Sequence, residues 1–263
     1  MLNLQDKTFY IAGVANKKSV ATETAKFLME CGAKCIFSAQ NEANLAQINK
    51  LFANSPAFLL NVEDEADIKN LKNKIEPYAK QLDGFLHSIA FANFSEGPVP
   101  FHQTKRSDFL QATQISSFSL LEMTNSLLPL FNQNASIVSI GISNLKATSY
   151  GYMGPIKAML ESTVDYLAKS LSQTTNIRVN LVKAGPLKTS ASAGIPNYLE
   201  NYMYAEKLTL RKKALETAEV AQTVAFLLSP LSSGINASSI TIDAGMNANF
   251  FDQDVVKGFV STL

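Results

Sequence analysis

Tyr150 and Lys157, in the run Y-G-Y-M-G-P-I-K, are the residues of this chain best suited to chemistry. They follow an apolar run, Ile137-Val138-Ser139-Ile140, that reads as a strand, and they open a long helical segment. A phenol can hydrogen-bond an oxygen that gains negative charge. A nearby ammonium can hold a cofactor ribose and strengthen that bond. A reductase needs such a couple. At helical geometry the spacing is nearly two turns and puts the two residues on one face, whereas Tyr152 would point about 140° from the lysine. Pro155 fits a helix only within its first turn. It therefore predicts a helix starting near Tyr152–Gly154, with Tyr150 just outside.

Apolar, β-rich runs alternate with helical stretches from one end of the chain to the other. Thr8–Gly13, Lys34–Ser38, Ala57–Leu60, Gly84–Ser88, Ser136–Ile140, Arg178–Val182 and Ile240–Asp243 read as strands. Val20–Glu30, Glu42–Phe52, Asp64–Ala79, Ser107–Leu130 and about Gly154–Leu171 read as helices. Strands apolar on both faces, alternating with helices, predict an α/β fold: a doubly wound, Rossmann-like parallel sheet of about seven strands. No repeat and no linker-like shift in composition divides it, so one domain over 1–263 is expected. The segment from Ala184 to about Arg211 breaks the alternation after the sixth strand. It lies on the side where open α/β sheets bind ligands, and reads as a substrate lid.

Composition narrows the classes. Hydrophobic residues make up 46%, Lys+Arg 23 nearly balances Asp+Glu 22, and the net charge of +1 gives no reason to expect nucleic acid as a partner. No apolar run reaches the length of a membrane span, and the start MLNLQDKTFYIAGV lacks a secretory pattern. Cys31 and Cys35 are expected to be reduced structural thiols in a cytoplasmic protein. With only His87 and His102, a multi-histidine metal centre is not expected.

The first strand ends in Gly13, and a helix starts near Ser19. Such a turn seats a pyrophosphate, because free N–H groups and the helix dipole point at the anion. The run G-V-A-N-K-K-S carries one glycine, with Lys17 and Lys18 nearby, and departs from G-x-G-x-x-G. The second strand ends in Ser38-Ala39-Gln40-Asn41. It has neither an acid for a ribose hydroxyl nor an arginine for a 2′-phosphate, so these residues leave NADH and NADPH open.

Six stretches in register resemble the bacterial NADH-dependent enoyl-acyl-carrier-protein reductases of the short-chain dehydrogenase type. They are GVANKKSVA from Gly13, FSAQN from Phe37, DGFLHSIAFA from Asp83, QISSFS from Gln114, YGYMGPIKA from Tyr150 and AGPLKTSASAGI from Ala184. The resemblance implies reduction of trans-2-enoyl thioesters on acyl carrier protein in fatty acid synthesis, with Tyr150 and Lys157 catalytic. Gly13, Ser19 and Val20 correspond to the pyrophosphate turn, Gln40 to the adenosine ribose contact, and Asn61 and Val62 to the adenine contact. Ser88, Ile89 and Ala90 correspond to the turn near the nicotinamide ribose. Leu187, Lys188, Thr189, Ser190 and Ala191 correspond to the segment against nicotinamide, and Ala92 and Tyr150 to substrate contacts. The family's usual assembly is a homotetramer.

The chain also departs from the family. Ile140, or Gly141 if the loop is shifted, stands where these reductases tend to have a second tyrosine, Asn61 where they usually have aspartate, and Ala90 where they have glycine. Met153 occupies the tyrosine position of the wider superfamily, which disfavours a generic ketoreductase. The other readings are a related reductase with a different substrate and an inactive nucleotide-binding paralogue. An acyl slot is expected from Phe91, Met153, Pro186, Ile195, Tyr198 and Met203. Lys188, Lys207 and Arg211 are candidates for docking an acidic carrier protein.

Overall fold

The computed structural model describes residues 2–93, 97, 99–143, 147–189, 198–249 and 251–261. Seven strands form one sheet in the order β3-β2-β1-β4-β5-β6-β7, and every pairing is parallel. They are β1 (Thr8–Ala12), β2 (Lys34–Ala39), β3 (Ala57–Leu59), β4 (Leu82–His87), β5 (Phe131–Ile142), β6 (Arg178–Ala184) and β7 (Ser238–Ile242). The expected strands are all present, with ends shifted by a few residues.

Both faces of the sheet are covered, as the runs of apolar strand residues require. Phe9 and Ile11 of β1 point into one core with α1 (Val20–Glu30), α2 (Glu42–Leu51) and α9 (Thr217–Leu228). Tyr10 and Ala12 alternate to the other core, with α3 (Glu65–Lys69), α4 (Leu71–Ile75), α6 (Ser119–Leu127) and α7 (Met153–Leu171). Each large side chain fully buried this way contributes about 1.5–3 kcal/mol. The Tyr10 hydroxyl finds its partner in Ser38 Oγ at 2.7 Å, so its burial leaves no polar group unpaired.

Local chemistry sets the helix ends. Ser19 caps α1 by accepting from the Thr22 N–H, and Gly32, at φ +88°, follows its last turn. The expected helix over Asp64–Ala79 is instead two short ones, because Asn70 leaves helical geometry at ψ −1°. The helix expected over Ser107–Leu130 is interrupted as well. Between α5 (Arg106–Thr113) and α6 lies a π-helical turn, Gln114–Phe118. There the Ser116 hydroxyl accepts from the Phe91 N–H at 2.9 Å and donates to the Phe91 carbonyl at 3.1 Å, pinning the loop after β4.

Three helices were not expected from the sequence. These are α8 (Tyr198–Leu208), α9 and α10 (Gln253–Val260). A capping box of Glu216 and Glu219 starts α9, which buries Val220, Ala221, Val224, Ala225, Leu227 and Leu228 along one face.

Candidate active site

The strand order reverses direction between β1 and β4, and a cleft of about 720 Å³ opens at their carboxyl ends. At this switch point the backbone is too close for a side chain. A Cβ on Gly13 would lie 2.1 Å from the Ser88 carbonyl oxygen, and Gly13 holds φ +103°. The single glycine of the turn is therefore obligatory. Gly13, Val14, Ala15, Ser19 and Val20 line the cleft where α1 begins, so the helix N-terminus faces it.

At one end of the cleft are Ser38, Ala39, Gln40, Leu60 and Val62, from the ends of β2 and β3, with Asn44 from α2. Toward the other end are Ser88, Ile89, Ala90 and Phe91 after β4, then Ile140, Gly141, Tyr150 and Lys157. The glycine turn lies between, so a dinucleotide has an anion seat in the middle and a place for a base at each end.

Lys157 sits at N5 of α7 and is only 5% exposed. Its ammonium donates to the Ile140 carbonyl at 2.8 Å. Burial lowers its pKa from 10.5 to about 8. Tyr150 ends a short 3₁₀ turn, Thr148–Tyr150, outside the helix, and Gly151 at φ +60° makes the corner. Burial, with Tyr198 nearby, raises the phenol to about 12. The helix start at Met153 agrees with the position of Pro155. Tyr152 points elsewhere, its hydroxyl donating to the Asn93 carbonyl at 2.9 Å.

His87, the residue before the Ser88 turn, is 1% exposed and lies between two hydroxyls. Its Nδ1 is 3.0 Å from Ser139 Oγ and its Nε2 2.8 Å from Ser119 Oγ. Burial, then the Lys157 charge, lowers its pKa to about 3, so the ring is neutral. Cys35 is buried and its thiol is pushed up to about 12, which makes it a packing residue; Cys31 is also free. Among the described residues no cluster of His, Cys, Asp or Glu could hold a metal.

The family model described as Enoyl-(Acyl carrier protein) reductase matches residues 13–247. The chain belongs to the enoyl-acyl-carrier-protein reductase family. It is 36% identical over 255 residues to the NADPH enoyl-acyl-carrier-protein reductase of Staphylococcus aureus strain MRSA252, with 94% of this chain and 99% of that one covered. It is also 36% identical over 247 residues to the NADH enzyme of Enterococcus faecalis, covering 93% of this chain and 98% of the relative. The crystal structure of the NADH enzyme from Aquifex aeolicus VF5 matches with a TM-score of 0.89 at 32% identity, over 94% of this chain and 98% of that one.

Not every residue expected at the reductase site lines the cleft. Gly13, Ser19, Val20, Gln40, Val62, Ser88, Ile89, Ala90, Tyr150, Lys157, Leu187 and Thr189 do. Asn61 is exposed beside it, its N–H donating to Asp67 and its side chain accepting from the Glu63 N–H. Ala92 packs with Phe109 and Tyr150 against the small core of Ala112, Tyr152, Met153 and Ile156. Lys188 lies over the Tyr202 ring at 4.6 Å. Ser190 and Ala191 lie outside the described residues.

Of the proposed acyl slot, Phe91, Pro186 and Tyr198 line the cleft. Met153 is buried in the small core instead, because the first turn of α7 faces α5 there. Met203 points to solvent, since the α8 face toward the cleft is Tyr198, Asn201, Tyr204, Ala205 and Leu208. Ile195 lies outside the described residues. Arg211 is not available for docking: it donates from both Nη atoms to the Glu219 carboxylate, each at 2.6 Å.

Met246, Asn247 and Asn249, which close the cleft after β7, carry no signal in the sequence. Asp243 accepts from the N–H groups of Gly245 and Asn247, and Asn247 Nδ2 donates to the Ser143 carbonyl at 2.8 Å.

Proposed function

We propose that this protein reduces the conjugated double bond of trans-2-enoyl thioesters carried on acyl carrier protein, in fatty acid elongation. One observation carries the reading: a buried ammonium and a phenol share a cleft with a glycine turn and a helix N-terminus. A reduced nicotinamide dinucleotide, when bound, supplies the hydride. Gly13, Ser19 and Val20 would hold its pyrophosphate, Gln40 and Val62 its adenosine, and Ser88, Ile89, Ala90 and Lys157 the ribose beside nicotinamide. Leu187 and Thr189 would meet the ring. Asn61, Lys188, Ser190 and Ala191 belong to this set by resemblance.

The residues of the chain then divide the work. The Tyr150 hydroxyl donates to the thioester oxygen as negative charge gathers there. The Lys157 ammonium holds the ribose hydroxyls and adds positive potential in a site of low dielectric. Water delivers the proton to C2. Phe91, Pro186 and Tyr198 offer an apolar wall to the acyl chain. The segment 184–211 would cover it, with α8 as the described part of that cover.

NADH is the dinucleotide we favour. The Asn41 side chain caps α2 and is not free for a 2′-phosphate, and Glu42 adds negative charge to the first turn of that helix. NADPH is the alternative, since relatives of both kinds match equally well. Ile140 is the reason to consider a related reductase with another substrate, or an inactive paralogue. Its carbonyl, not its side chain, serves Lys157, which favours retained chemistry.

Lys207 is exposed on α8 and suits an acidic carrier protein. A hollow lined by Leu110, Phe118, Leu121 and Met159, on the α5, α6 and α7 side, suits contact with a second copy in a homotetramer. No helix among the described residues is long and apolar enough to cross a membrane, in keeping with a cytoplasmic enzyme. The deciding experiment follows loss of NADH absorbance with crotonyl thioester, repeated with NADPH and with ketones. Turnover of ketones alone, or binding without turnover, would defeat the enoyl reductase reading.

A further inference from the structure

The Tyr198 hydroxyl meets both backbone groups of a single residue. It accepts from the Leu187 N–H at 2.8 Å and donates to the Leu187 carbonyl at 2.8 Å. Both residues line the cleft. Leu187 follows β6, whose last residue, Ala184, pairs with Ile142 of β5. Its strand thus runs beside the one whose Ile140 carbonyl holds Lys157. Tyr198 also lies close enough to Tyr150 to raise the proton affinity of that phenol.

A backbone N–H and C=O of one residue, both met by one hydroxyl, form a donor–acceptor couple. A primary carboxamide presents the complementary pair, an acceptor oxygen and a donor NH₂. Nicotinamide carries such a group, and the proposed chemistry brings its ring to this end of the cleft. A phenol satisfies the same couple with one oxygen. The Leu187 carbonyl also accepts from the Thr189 N–H at 3.0 Å, so it is the Leu187 N–H that is costly to leave unmet. Ser116 makes the same pair of hydrogen bonds to Phe91, but from a hydroxyl fully buried in the π-turn. That pin is fixed, whereas the Tyr198 bond lies where a ligand can reach it.

We propose that Tyr198 is an internal competitor for the cofactor: its hydroxyl occupies the Leu187 couple that the nicotinamide carboxamide takes, so binding releases the first turn of α8. The proposal rests on the nicotinamide reading above. It makes the apparent affinity for the dinucleotide lower than the intrinsic one by the fraction of molecules in which Tyr198 is displaced. Because Tyr198 packs at 6.5 Å against Tyr202, which carries Lys188 on its ring, release also loosens the lower part of α8.

The test is calorimetric titration of NADH and of ADP-ribose into the wild-type protein and Tyr198→Phe. The variant keeps the ring and removes both hydrogen bonds. NADH should bind the variant about tenfold more tightly, as expected if the hydroxyl holds Leu187 in roughly nine molecules of ten. ADP-ribose lacks the carboxamide and should bind both proteins equally. Unchanged or weaker NADH binding, with ADP-ribose binding intact, overturns the proposal. Equal tightening of both ligands overturns it as well, because the effect would not lie at the carboxamide. If the wild-type protein binds neither ligand, the dinucleotide reading fails and this one with it.

Should the variant not fold, hydrogen exchange on the wild-type protein decides. Saturating NADH, but not ADP-ribose, should speed amide exchange across 199–208. Unchanged or slower exchange with NADH overturns the proposal.

Discussion

The Lys157 ammonium donates to the carbonyl of Ile140 at 2.8 Å, which ties the first turns of α7 to the end of β5. The side chain at 140 has no hydroxyl, but its backbone still aims the lysine into the cleft. Burial brings the ammonium to about pH 8, within reach of an ordinary pH profile. The Tyr150 phenol, at about 12, keeps its proton throughout that range. We expect kcat/KM with enoyl thioester to fall as pH rises through about 8, when Lys157 loses its charge. A flat profile to pH 10 would remove the lysine from the rate-determining electrostatics.

The same lysine has a signature in stability. Its folded pKa of about 8 lies below the ordinary 10.5, so between these values the unfolded chain holds a proton that the folded chain lacks. Stability from this group therefore falls as pH drops from 10.5 to 8, by roughly 3 kcal/mol in all, and is constant below. Lys157→Met should abolish that slope. Urea denaturation of both proteins at several pH values between 7 and 11 measures it.

Tyr150→Phe removes a hydroxyl that meets the substrate oxygen only as charge develops. The expected loss in kcat is on the order of 10²–10³. NADH affinity, measured by fluorescence titration, should stay within about twofold, because the cofactor contacts fall to other residues. A variant that binds cofactor poorly would instead make the phenol a ribose ligand.

How much of this could be read from sequence follows from where each signal is local. Strands buried on both faces are recognisable as apolar runs, and Ser19 and Gly13 mark a turn without any partner being known. The split at Asn70 and the π-turn at Ser116 were not legible. The π-turn depends on a contact made elsewhere, Ser116 with Phe91, and the split on a change of backbone angle at the single residue Asn70. The helix Thr217–Leu228 carried a readable signal, since its buried residues Val220, Ala221, Val224, Ala225, Leu227 and Leu228 follow the helical period. Tyr150 and Lys157 were legible from their spacing, although the route is not a shared helical face: Tyr150 precedes the helix and reaches the cleft through the Gly151 corner. The Met246–Asn249 wall had no signal, since only the fold brings it to Ser143.

Gly13→Ala should be the most damaging small change in the cleft. The added methyl would lie 2.1 Å from the Ser88 carbonyl oxygen, at a φ of +103° that other residues avoid. The β1–β4 junction would have to part, costing about 2 kcal/mol or more. Thermal denaturation should show a clear loss, and NADH binding should fall below detection even at temperatures where the variant is folded.

His87 sets the acid limit. It is neutral and held between Ser119 and Ser139, with a folded pKa near 3 against the ordinary 6.5. Below pH 6.5 the unfolded chain takes up a proton that the folded chain refuses, so stability falls as pH drops from 6.5 toward 3 at about 1.4 kcal/mol per unit. Carboxylates add to that slope, and a variant isolates the contribution of the histidine. His87→Gln keeps a donor and an acceptor between the two serines but does not titrate. It should start less stable at pH 7, because its amide matches the ring geometry imperfectly, yet lose less on acidification. Denaturant midpoints at pH 7 and pH 5 for both proteins give the comparison. Parallel decline in the two would mean that His87 takes up its proton equally in the folded and unfolded chain, which its burial and then the Lys157 charge oppose.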